Sequence, residues 1–172
     1  GQIVIHHGKQ YPVITNKPTF DQQLANAKKY VGLGGDLPLP GTTSAEDRFV
    51  RAEYYRQQLT QPITTEKAIA ELISVLRNAA QPYGAEQPMI APTIWRTTLD
   101  HSNLGYFFES TSEPCFVWLD ITKLDLSPGA PVKTLALEAM SGRIGVQNDA
   151  LIDARLFEFS EPPESHPTIK PA

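Results

Sequence analysis

Val13-Ile14-Thr15-Asn16-Lys17-Pro18-Thr19-Phe20-Asp21-Gln22 is the stretch that decides the fold, because the hydrophobic pattern changes its period halfway along it. Val13-Ile14-Thr15, extended upstream by Tyr11-Pro12, is β-branched and aromatic and reads as a strand. Asn16-Lys17-Pro18 stops it. Thr19 then opens a capping box with Gln22, and Phe20, Leu24, Ala27 and Val31 recur at helical spacing until Gly32 closes the pattern. The spacing predicts a first helix over residues 19–31, fed directly by a strand.

Upstream, Ile3-Val4-Ile5 is a second β-rich run, and His7-Gly8-Lys9-Gln10 between the two runs is turn-like, so the natural reading is a hairpin. Downstream, residues 32–41 hold too much Gly and Pro to be regular, and they lead into Thr43, whose partner Glu46 completes a second capping box. The helix that follows should run to about Leu59. Arg48, Ala52, Tyr55 and Leu59 share one of its faces, so the Arg48 guanidinium lies on a partly apolar stripe and needs a partner. Thr64 caps a third helix with Glu66 in its first turn, Ile69, Leu72, Ile73 and Leu76 as its buried stripe, and an end near Ala80. Aromatic and β-branched runs at 89–99, 104–110 and 115–121 are joined by Asp100-His101-Ser102-Asn103 and Thr111-Ser112-Glu113-Pro114, which predicts an antiparallel meander. Past Leu126 the chain is interrupted by Pro128 and Pro131, 132–137 reads as one more strand, and 162–172 reads as a loose tail. Strands, then helices, then antiparallel strands amount to an α+β layered fold with helices packed on a sheet, not to βαβ winding.

Composition sets the outer bounds. A chain of 172 residues, 41% apolar and 20% charged, can bury one sizeable core and reads as a folded, water-soluble domain or a large part of one. The net charge of −4 comes from 15 Lys and Arg against 19 Asp and Glu, with the cations scattered, so nucleic acid is not an expected partner. No apolar run nears the roughly 20 residues that cross a bilayer, and no membrane partner or targeting signal is expected. The chain opens inside a β-rich run without an initiator Met, which suggests that sequence upstream is missing. One cysteine, Cys115, excludes an intrachain disulfide and a Cys-rich metal site.

Several constellations invite a chemical reading and are answered by a simpler one. His6 and His7 are neighbours on a predicted strand and point to opposite faces, with no carboxylate or Cys at ligand spacing, so no metal is expected. Gly32-Leu33-Gly34-Gly35 follows a helix and lacks a following Lys-Ser/Thr, so it reads as a helix end rather than a phosphate loop. Cys115 lies mid-meander beside Phe116 and Trp118 with no His nearby in sequence, which favours a packed thiol over a nucleophile. Ser44 and Ser102 lack a Gly-x-Ser-x-Gly setting and read as cap and turn. Arg96 is equally a cross-strand partner or a substrate contact. Asn16, at a strand end, offers an amide that can donate into a cleft, or forms an ordinary turn before Pro. Arg48 is either part of a site or a structural arginine. Periodicity alone leaves both choices open.

The segment Val13-Ile14-Thr15-Asn16-Lys17-Pro18-Thr19-Phe20-Asp21, with Leu24-Ala25-Asn26 and Tyr30-Val31-Gly32-Leu33 after it, resembles the V-L-T-N-x-P-x-F segment of the choloylglycine hydrolase / penicillin V acylase family. Leu39-Pro40-Gly41, Ser44 and Asp47-Arg48-Phe49-Val50-Arg51-Ala52 resemble that family's L-P-G and S-x-R-F-x-R-V/A segments in the right order. Tyr106-Phe107-Phe108 is similar to the family's aromatic run on paired strands, and the likeness covers about residues 1–125.

The resemblance implies an αββα sandwich of the N-terminal nucleophile hydrolases, in which an amino-terminal cysteine attacks a linear amide and its own α-amino group is the base. It implies that Asn16 helps hold the oxyanion and that Arg48 lies near the nucleophile, with no cofactor. It also implies that residues 1–172 are the C-terminal part of a single domain, 61–172 supplying a helix, the meander and the tail. Gly1 is not the nucleophile, so the Cys and its nearby Arg and Asp are expected on a missing segment or a second chain, and this chain alone should be inactive. The implied partners are that amino-terminal half, a small N-acyl amide substrate and further copies of the protein. The short stretch between Gly32 and Leu39 resembles the Gram-negative branch, often periplasmic, which includes penicillin V acylases and acyl-homoserine-lactone acylases, and this weighs against bile salts as substrate. The alternative is a non-catalytic structural or interaction domain that retains the scaffold.

Overall fold

The computed structural model describes Ile5, His7 and residues 12–82 and 91–154. Three helices come first: α1 (Phe20–Ala27), α2 (Ala45–Gln57) and α3 (Thr65–Ala79). They are followed by β1 (Trp95–Asp100), β2 (Gly105–Ser110), β3 (Cys115–Asp120), β4 (Lys133–Thr134), β5 (Ile144–Val146) and β6 (Ile152–Asp153). Strands β1, β2 and β3 form the expected antiparallel meander, β5 adds to β3 in parallel, and β4 pairs with β6 in a small separate ladder. Helix α3 lies between α2 and the β1 edge, so one helical layer rests on one sheet.

The start and end signals mostly hold. Gln22 Oε1 accepts from the Thr19 N–H at 3.1 Å and from its hydroxyl at 2.9 Å, and the Thr64 hydroxyl accepts from the Lys67 N–H. The second cap is shifted by one residue: Ser44, not Thr43, is the N-cap and accepts from the Asp47 N–H at 3.1 Å. Asp47 turns back instead to the Thr42 hydroxyl at 2.6 Å, so the Thr43–Glu46 box does not form.

Helix α1 ends four residues before Val31. Tyr30 and Val31 leave it to form bridges with Leu37 and Gly35, and the Val31 N–H donates to the Leu37 carbonyl at 2.8 Å. A Cβ on Gly35 would lie 2.2 Å from the Lys29 carbonyl oxygen, so the glycine run exists to let the backbone close on itself.

Residues 12–15 are not in a strand, and the other run of the expected hairpin lies outside the described residues apart from Ile5. The first meander strand begins at Trp95, with residues 89–90 likewise outside, as is the tail at 162–172. Of the strand expected at 132–137, Lys133–Thr134 forms. In α3 the expected stripe is modified: Ile69, Ile73 and Val75 are buried, while Leu72 is 39% exposed. A helix wedged between α2 and β1 buries residues on two sides, which a single-stripe pattern does not capture.

Two apolar clusters result. Phe20, Ala27, Phe49 and Val50 join α1 to α2, the two phenyl rings meeting edge-on at 6.0 Å. Cys115, Val117 and Met140 pack beneath the sheet with Phe108 and Leu135. The thiol is thus packed in the core, as its sequence context suggests.

Candidate active site

Placement of Asn16 begins one residue earlier and seven residues later. Gln23 falls on the same face of α1 as Phe20 and Ala27 and is 1% exposed, a polar side chain in an apolar stripe. Its Nε2 donates to the Pro18 carbonyl at 2.7 Å and to the Thr15 carbonyl at 3.3 Å, while the Thr15 hydroxyl donates to its Oε1 at 2.7 Å. The same hydroxyl is 2.9 Å from the Ala45 carbonyl, at the first residue of α2. The segment carrying Asn16 is thereby tied both to α1 and to the start of α2.

Arg48, on the first turn of α2, completes the arrangement. Its Nε donates to the Thr43 carbonyl at 3.1 Å and its Nη2 donates to Asn16 Oδ1 at 2.8 Å. The two residues singled out in the sequence, 32 positions apart, are therefore in direct contact, and both line one cleft of about 810 Å³. The partner that Arg48 requires is an amide oxygen and a backbone carbonyl, not a carboxylate.

The contact has a chemical consequence. Arginine is a donor only, so it fixes the Asn16 carboxamide with its oxygen toward the guanidinium and its NH₂ group pointing away. Among the described residues Asn16 Nδ2 has no acceptor, which leaves two N–H groups free to meet an electron-rich oxygen. Lys17 and Arg48 are both in the cleft wall, and no carboxylate is among the described residues that line it. Such a wall favours developing negative charge.

Residues that the pattern did not single out support the wall. Arg51 Nη1 donates to the carbonyls of Pro40 at 3.1 Å and Thr42 at 2.7 Å, and its Nε donates to the Asn78 carbonyl at 3.0 Å, stitching the 40–43 loop to α3. Gln81 also lines the cleft, and its backbone N–H donates to the Thr93 hydroxyl at 2.9 Å. Polar placement in an apolar stripe was the available signal for Gln23; Gln81 follows a helix end and carries no comparable signal. Arg96, which sequence left open, is a cross-strand partner: its Nε donates to Glu109 Oε2 at 2.8 Å, and Arg77 of α3 holds the other oxygen at 2.6 Å. Ser102 is in a turn, as expected, and no His, Cys, Asp and Glu grouping suited to a metal occurs among the described residues.

The family model for linear amide C–N hydrolases of the choloylglycine hydrolase family matches residues 1–135. A penicillin V acylase of Pectobacterium atrosepticum is 43% identical over 178 residues, spanning 93% of this chain and 47% of the relative. The solved penicillin V acylase from Agrobacterium tumefaciens superposes with a TM-score of 0.78 at 44% identity, covering 91% of this chain and 51% of that one. A conjugated bile acid hydrolase from Clostridium perfringens, at 22% identity and a TM-score of 0.60 over 74% of this chain and 46% of that one, shares the fold. The chain spans about half the length of these relatives. Its helices and antiparallel sheet are part of an α+β sandwich of the N-terminal nucleophile hydrolase type. From the matched span and the identity, the chain belongs to the choloylglycine hydrolase family of linear amide C–N hydrolases.

Proposed function

We propose that the complete protein hydrolyses a linear N-acyl amide, with penicillin V as the first substrate to test, and that residues 1–172 form the C-terminal part of its single catalytic domain. The nucleophile is an amino-terminal cysteine outside these 172 residues. Cys115 is 8% exposed beneath the sheet and does not line the cleft, which supports looking for the thiol elsewhere.

The α-amino group of that cysteine takes the thiol proton, and the thiolate attacks the amide carbon. The carbonyl π electrons move onto oxygen, where Asn16 Nδ2 donates to the resulting oxyanion. Collapse breaks the C–N bond, the α-ammonium group protonates the leaving amine, and a thioester remains. Water, activated by the same amino group, then attacks the thioester and releases the carboxylic acid with the thiol regenerated. One preorganised amide donor of this kind contributes about 2.7–4 kcal/mol, or about 10²–10³ in rate. Arg48 has two roles: it holds Asn16 in its donating orientation, and its charge favours the thiolate.

The single observation that carries this reading is the 2.8 Å bond from Arg48 Nη2 to Asn16 Oδ1, which turns the Asn16 NH₂ away from the guanidinium in a residue of the cleft wall. To test it, the complete protein is mixed with penicillin V, quenched in acid and examined by peptide mass spectrometry. A phenoxyacetyl adduct on an amino-terminal cysteine is expected. Release of phenoxyacetate without such an adduct, or an adduct on Cys115, would refute the mechanism, and no turnover of any N-acyl amide would refute the function.

A further inference from the structure

Gln81 raises a question that the proposed mechanism does not answer. Its Oε1 is enclosed by the protein and meets no donor, the one such buried side-chain atom among the described residues. Buried polar atoms of folded proteins are nearly always paired, so an exception calls for a reason. Gln81 is in the wall of the same cleft as Asn16 and Arg48.

The surrounding bonds define what this oxygen can do. The Gln81 backbone is clamped to Thr93 on both sides: its N–H donates to the Thr93 hydroxyl at 2.9 Å, and its carbonyl accepts from the Thr93 N–H at 3.2 Å. Its Nε2 reaches the Thr43 carbonyl at 3.4 Å, a carbonyl already held by Arg48 Nε at 3.1 Å. Flipping the carboxamide would set its oxygen against that carbonyl oxygen, so the nitrogen is the end that faces Thr43. The 3.4 Å bond is long, and the terminal torsion of glutamine is broad, so the carboxamide is free to turn and bring its enclosed oxygen to a donor in the cleft.

A secondary amide brings one such donor. In its trans form the C=O and the N–H point in opposite directions, so a site that grips both needs a donor and an acceptor across a cleft. Asn16, held by Arg48, presents the donor, and Gln81, held through its backbone by Thr93, presents the acceptor once its carboxamide turns. We infer that Gln81 Oε1 accepts the N–H of the amide to be cleaved, making Gln81 a specificity residue for N–H-bearing amides over esters. The inference rests on the proposed amide hydrolysis and adds a residue to it.

The test uses the complete protein with two probes, the 4-nitroanilide and the 4-nitrophenyl ester of phenoxyacetic acid, which share an acyl group and differ in the N–H. Gln81→Met removes the acceptor at similar volume, and Gln81→Glu keeps an acceptor oxygen. The expected result is a fall of about tenfold or more in kcat/KM for the anilide with Gln81→Met, against a change of less than about threefold for the ester. Gln81→Glu should keep the anilide-to-ester ratio within about threefold of the unsubstituted protein. An equal loss on both probes would assign Gln81 to holding the wall and overturn the inference, as would no loss on either. Asn16→Ala separates the two levels: if it abolishes hydrolysis of both probes while Gln81→Met behaves as unsubstituted, the mechanism stands and the inference falls. If the unsubstituted protein hydrolyses neither probe, both fall together.

Discussion

Replacing Gln23 by Leu in the complete protein tests how Asn16 is held. The side chain is 1% exposed, and its Nε2 serves the carbonyls of Pro18 and Thr15 at 2.7 and 3.3 Å. Leucine fits the apolar stripe between Phe20 and Ala27 but leaves both carbonyls without a donor. The Thr15 hydroxyl has a second acceptor, the Ala45 carbonyl at 2.9 Å, so its loss of Gln23 costs little. Two stranded carbonyls cost about 1–3 kcal/mol each, and burying an apolar side chain returns about 1 kcal/mol, which centres the net loss on about 3 kcal/mol. With a urea slope of about 2 kcal/mol/M, the unfolding midpoint should fall by about 1.5 M. Because the freed segment also carries Asn16, kcat measured well below the new midpoint should fall about tenfold or more. A midpoint shift below about 0.3 M, or a large shift with kcat unchanged, would refute the claim that this carboxamide sets the position of Asn16.

Two further substitutions probe separate parts of the structure. Arg48→Lys should lower kcat by about 10- to 100-fold and rescue little of what Arg48→Met loses, as steady-state kinetics would show, because Thr43 and Asn16 are bridged by Nε and Nη2 on one rigid guanidinium edge. For Glu109, burial raises the carboxyl pKa, but hydrogen bonds and charge from Arg96 and Arg77 outweigh it and hold the group below its ordinary 4.5. A carboxyl depressed on folding contributes stability above its unfolded value and loses it as pH falls through the folded one. Glu109→Gln should therefore lower the melting temperature at neutral pH, with the gap to the unsubstituted protein closing as pH falls below 4.5. A gap independent of pH would show that packing, not charge, sets the cost.

Local chemistry explains what could be read in advance. Thr19 with Gln22 and Thr64 before Glu66 announce helix starts within four residues, and the three meander strands carry their own turns, so these elements were legible. Where a boundary depended on contacts beyond the segment, the reading slipped. Helix α1 stops early because Val31 finds Leu37 and Gly35, and the parallel partner of β3 is formed by Ile144–Val146, which have little pattern of their own. The site divides the same way. Asn16 and Arg48 each have an ordinary structural reading, and it is resemblance over their flanking motifs that links them; the bond across 32 positions shows that the two side chains meet, which periodicity could not. Gln81 stayed invisible because its significance rests on an unpaired atom, which exists only in three dimensions.

The most direct measurement compares activity with stability for Asn16→Ala in the complete protein. Asn16 is exposed at the cleft, and its side chain hydrogen-bonds to Arg48 alone among the described residues, so its removal should leave the melting temperature within about 2 °C. Turnover of an N-acyl amide such as penicillin V should fall by about 10²–10³ if Nδ2 holds the oxyanion. A kcat within about threefold of the unsubstituted protein, or a loss of activity matched by a loss of fold, would contradict the role given to Asn16.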